Sequence, residues 1–114
     1  MTSSPPPADA AGLLESLLNP LLEDFDASFQ RGLHLLELCP DRVLSEAARE
    51  TLRERLQVSL AELQAARALR AAAPVPMALD MAAIAPWHAL LVEVWSLSAA
   101  LRAAGVPLHR IPPP

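Results

Sequence analysis

Leu14, Leu18, Leu21, Phe25, Phe29, Leu33 and Leu36 follow one another at intervals of three or four residues, the interval at which side chains return to one face of an α-helix. The spacing returns in Leu52, Leu56, Leu60 and Leu63, continued by Ala66 or Leu69. A half-buried strand needs strict alternation instead, and the residues that favour strands are scarce. Val, Ile and Thr together number 10 of the 114 residues, Tyr is absent, and Phe and Trp occur twice each, whereas Ala and Leu supply 22 each. All-β and Rossmann-type folds are thereby excluded. The length suits one domain with a modest core, which burial against further helices or a second chain would supplement.

Prolines divide the chain. Pro5 to Pro7 and Pro107 with Pro112 to Pro114 predict extended, disordered tails over residues 1–8 and 109–114, around a single domain at 9–108. Within it, Asn19 is a good N-cap and Pro20 suits a first helical position, so the spacing predicts a short helix before Asn19 and a long one from Pro20 to Leu38; one kinked helix is the alternative. Cys39-Pro40-Asp41 ends it. Ser45 as N-cap, followed by Glu46, opens a second long helix running to about Ala72, with Glu46–Arg49 and Glu50–Arg53 placed to pair along it. Ala73-Pro74-Val75-Pro76-Met77 is a connector, Asp80 caps a single turn, and Pro86 opens a third helix that Gly105 and Pro107 stop. The expected architecture is an all-α antiparallel bundle of three long helices plus a short N-terminal one, with the third helix central and buried deepest.

Charge narrows the partners. All nine basic residues are Arg, against 13 acids, for a net of −4, so no basic field exists to hold a phosphate backbone and nucleic acid is not expected. Residues 9–39 hold six acids and one Arg while 41–73 hold five acids and six Arg, which favours antiparallel pairing of the first two long helices. The single cysteine, Cys39, reads as a buried small side chain at a helix end, and the N-terminus lacks the pattern of a secretory signal, so a cytoplasmic protein is expected.

The third helix carries the candidate interaction residues Trp87, His88, Leu91, Glu93 and Trp95. Trp87, Leu91 and Trp95 follow at intervals of four, with Ser98 three further on, which reads as one stripe, in the core or as an interface anchor. Glu93 is the sole formally charged side chain between Trp87 and Leu101, and Arg49, Arg53 or Arg67 of the second helix is its expected partner. His88 and Glu93 are five residues apart and point in different directions, His34 and Cys39 have no metal-ligand spacing, and Gly12, Gly32 and Gly105 form no phosphate loop. No catalytic, cofactor-binding or metal-ligating set is therefore expected. About 20 apolar residues span a bilayer, but His88, Glu93 and the two serines Ser96 and Ser98 argue for a buried helix over a spanning one.

The run Pro20-Leu21-Leu22-Glu23-Asp24-Phe25, with the block from Asp80-Met81 through Pro86-Trp87-His88 to Glu93 and Trp95, resembles a family of short cyanobacterial proteins, a domain-of-unknown-function family. The likeness covers roughly residues 13–102. It implies a small helical cytoplasmic protein of cyanobacterial origin and brings no catalytic residues or cofactor with it. The reading that follows is a non-enzymatic interaction module that self-associates or docks on a protein partner. The alternatives are a membrane-peripheral protein, or a small pigment-binding protein or enzyme using His34, Cys39, His88 or Glu93.

Overall fold

The computed structural model describes the backbone of residues 7–72 and 81–108, and side chains over 16–72 and 84–108. The chain forms three helices, α1 (Pro7–Leu38), α2 (Glu46–Ala72) and α3 (Met81–Ala103), with no strand among the described residues. Arg67 and Arg70, late in α2, reach Asp26 and Asn19 in the middle of α1, while the earlier Leu56 lies beside the later Gly32, so α2 runs antiparallel to α1. Phe25 beside Trp87 and Gly32 beside Val94 make α3 parallel to α1.

The middle position belongs to α1, not to α3 as expected: α1 packs along both neighbours, and α2 and α3 approach each other far less. Leu18, Leu22, Phe25, Phe29 and Leu36 form its core stripe, with Gly32 buried in the same register. This stripe shares Leu18, Phe25, Phe29 and Leu36 with the expected one but takes Leu22 in place of Leu21 and adds the fully buried Leu35, while Leu33 is only partly buried and the Leu14 side chain lies outside the described residues. From α2 come Leu52, Leu56, Leu60 and Leu63, and from α3 Trp87, Leu90, Val94, Leu97 and Leu101. The α2 stripe continues through the partly buried Ala66, whereas Leu69 faces out.

Pro20 does not break α1, which is continuous from Pro7 to Leu38. The separate N-terminal helix is therefore absorbed into α1. Asn19, expected to cap a helix start, instead accepts a hydrogen bond from Arg70 Nη2 at 3.1 Å, and Leu18 and Leu22 on either side of the proline are both buried. Burial on both sides outweighs the local preference for a break. The third helix likewise begins before Pro86, at Met81, taking in the single turn expected there. The tail residues 1–6 and 109–114, and the connector with Asp80, lie outside the described residues.

The ends of the helices follow the sequence signals closely. Ser45 Oγ accepts the Ala48 N–H at 3.2 Å, an N-cap bond. Gly105 adopts φ 77°, the left-handed conformation that glycine enters without penalty, and its N–H reaches the Arg102 carbonyl at 3.0 Å while the Val106 N–H reaches Leu101 at 2.9 Å. This pair of bonds is a Schellman motif, and it turns Val106 back onto the core. Arg42, in the loop between α1 and α2, adds a bond from Nη2 to the Ala104 carbonyl at 3.1 Å. Cys39 is buried at the end of α1, as expected.

Candidate functional site

Helices packed as α1 and α3 are here leave a groove on the side away from α2, and both line it with a second stripe at alternating intervals of four and three. On α1 the stripe is Leu21, Asp24, Ser28 and Arg31; on α3 it is His88, Leu91, Trp95, Ser98 and Arg102. The groove holds two hollows of about 340 and 220 Å³, and Ser28 and Trp95 border both. The first is lined by Leu21, Asp24, His88 and Leu91, the second by Arg31, Ser98 and Arg102.

The five residues singled out in sequence separate into three settings. Trp87 is 5% exposed and packs edge-on against Phe25, ring centroids 6.0 Å apart, so it is a core side chain. Trp95 is 58% exposed. The single tryptophan stripe expected from the spacing is thus incorrect: eight residues of helix leave the two indoles about 80° apart, enough to put one in the core and the other on the groove. His88 and Leu91 flank Trp95 on the groove wall. Glu93 faces the other way, towards α2.

Glu93 pairs through both carboxylate oxygens with Arg55, whose Nη1 donates at 2.8 Å. The three expected partners are engaged elsewhere, Arg49 with Asp41 and the Leu44 carbonyl, Arg53 with Glu50, and Arg67 with Asp26. Of the two pairs expected along α2, Glu50–Arg53 forms, while Arg49 turns to Asp41 rather than to Glu46. Hydrogen bonding to Glu93 holds the Arg55 guanidinium above its ordinary range against some desolvation. Both partners remain about half exposed, so the pair fixes the α2–α3 register more than it stabilises the fold.

Ser98, which continues the expected Trp87–Leu91–Trp95 stripe at an interval of three, lies on the groove. It is 6% exposed, and its Oγ makes no hydrogen bond among the described residues, although it borders the second hollow. His34, Cys39, His88 and Glu93 are not brought together: His34 is exposed on α1 beside Glu37, Cys39 is buried at the α1 terminus, and His88 and Glu93 occupy different faces of α3. No cluster of three or more His, Cys, Asp or Glu able to hold a metal occurs among the described residues.

The chain is thus a three-helix domain presenting a groove lined by both apolar and charged side chains. The chain belongs to the family described as "Protein of unknown function (DUF2605)", whose model matches residues 8–103. No curated protein and no solved structure matches it.

Proposed function

We propose that this chain is a non-enzymatic protein-interaction module of the cytoplasm, acting through the groove between α1 and α3. The observation that carries the reading is Trp95: a 58%-exposed indole set between Leu21 and Leu91 has a large apolar area that water solvates poorly. Tryptophan in such a setting is the residue type on which binding energy concentrates. The cyanobacterial likeness of the Pro86-Trp87-His88 block suggests the cell in which to look. Affinity capture from such a cell with the wild-type chain and Trp95→Ala as baits, read by mass spectrometry, tests the reading. A partner, or the chain itself, retained by the wild type and lost with the variant is the expected result; identical capture by both overturns it.

A second reading, contact with a membrane surface, has one observation in its favour. The segment Ile84–Ala103 is 20 residues long and its most apolar 18-residue window has a mean hydropathy of 1.3, long and apolar enough by composition to cross a bilayer, and a third of that window is buried in the bundle. Flotation with liposomes separates the two: a chain that stays at the bottom of the gradient is incompatible with membrane binding.

A further inference from the structure

We propose that the groove between α1 and α3 closes on a second copy of this chain, the two copies antiparallel about a two-fold axis beside Trp95. The proposal rests on the interaction reading above and supplies its partner. Gly32 and Val94 stand at the same level of the two parallel helices. Asp24 lies eight residues before Gly32 and Arg102 eight residues after Val94, so the acid and the base sit on opposite sides of that level. Each is about 12 Å away along the helices, at about 1.5 Å per residue. Both are exposed, and each borders one of the two hollows. A two-fold axis across the groove at this level brings Asp24 of each copy opposite Arg102 of the other, over a lateral span that the long arginine side chain covers. A parallel dimer would set Asp24 against Asp24 and Arg102 against Arg102, juxtaposing like charges.

Ser28 lies four residues before Gly32 and Ser98 four after Val94, so the same operation puts Ser28 of one copy at the level of Ser98 of the other. Trp95 falls next to the axis, at the centre of the contact, where its indole meets its own symmetry mate and the Arg31 guanidinium of the second copy. Because the interface is isologous, every contact occurs twice. The product is a four-helix bundle in which the α1 and α3 of one copy face those of the other, with an α2 outside each pair.

The test is sedimentation equilibrium on the full chain as wild type, Asp24→Arg, Arg102→Asp and the double reversal, with circular dichroism melts to show that all four fold. The wild type is expected to dimerise, and each single reversal to weaken the dimer at least about tenfold, since like charges then meet at two places. The double reversal is expected to return the affinity to within about threefold of wild type, the pairs having been restored with opposite sense. Asp24 and Arg102 of one chain stand about 24 Å apart along the bundle, too far for rescue within a chain. A wild-type chain monomeric into the millimolar range, or a double reversal as weak as the singles, overturns the proposal. Those results leave the interaction reading standing if Trp95 is still needed to capture another protein, and both fall if it is not.

Discussion

At Gly32, α1 meets side chains of both α2 and α3. A methyl group there would sit 2.9 Å from Val94 Cγ2 and 3.1 and 3.3 Å from the two Leu56 methyls. Val94 is β-branched and buried, and cannot easily rotate aside. Alanine gains about 1 kcal/mol over glycine in helix propensity, whereas overpacking a closed core costs about 1–3 kcal/mol. Gly32→Ala is therefore expected to lose about 1 kcal/mol net, seen as a lower melting midpoint, with Gly32→Val losing more. The two tryptophans supply a second contrast. Trp87→Ala empties a core site and is expected to cost about 3–5 kcal/mol, while Trp95→Ala on the groove is expected to change the stability of the folded monomer by no more than about 0.5 kcal/mol. Thermal denaturation of a dilute sample measures both, and equal losses would contradict the placement of the indoles. Intervals of three and four gave the helix but not its rotation, which is why the choices between Leu21 and Leu22, and between Trp87 and Trp95, were not legible. Gly32 carries no hydrophobic signal, and its role arises only where three helices meet.

At the scale of elements, the helix ends were written plainly in the chain. Ser45 and Gly105 act through bonds to backbone groups a few residues away, so their effect is local and sequence reads it well. Pro20 shows the opposite case. Its local signature is a helix start, yet the helix continues, because Leu18 and Leu22 are buried together and Asn19 is taken by Arg70, which is 51 residues away. An interior proline is about 3 kcal/mol less favourable than alanine in a helix, and the Pro20 side chain is exposed. Pro20→Ala is expected to stabilise the protein by about 1–3 kcal/mol, part of the gain being offset by greater freedom of the unfolded chain. A melting midpoint at or below that of the wild type would show that the helix is not strained at this point.

For the molecule as a whole, the composition settled the helical class and the charge of the segments favoured the antiparallel pairing of α1 and α2, now joined through Arg67–Asp26 and Arg70–Asn19. The central place of α1 was not legible. The most apolar helix, α3, looked the natural centre, but part of its apolar surface, Val92 and Trp95, lies outside the core. Hydrophobicity summed along a helix counts interface and core alike, and only the direction of each side chain separates them.

The place of α1 between its neighbours also fixes an order of assembly. α1 and α2 are joined by the short loop over residues 39–45 and pack along their lengths, so they can close as a hairpin early, through contacts near in sequence. α3 finds nearly all its backbone contacts on α1, and its last turn is held by Arg42 from the loop of that hairpin. It should therefore dock late and detach first. Native-state hydrogen exchange is expected to show the α3 amides opening at lower free energy than those of α1 and α2, as a separate cooperative unit. Arg42→Ala should loosen the α3 amides alone. In kinetic terms, substitutions in α3 should accelerate unfolding while leaving the folding rate almost unchanged.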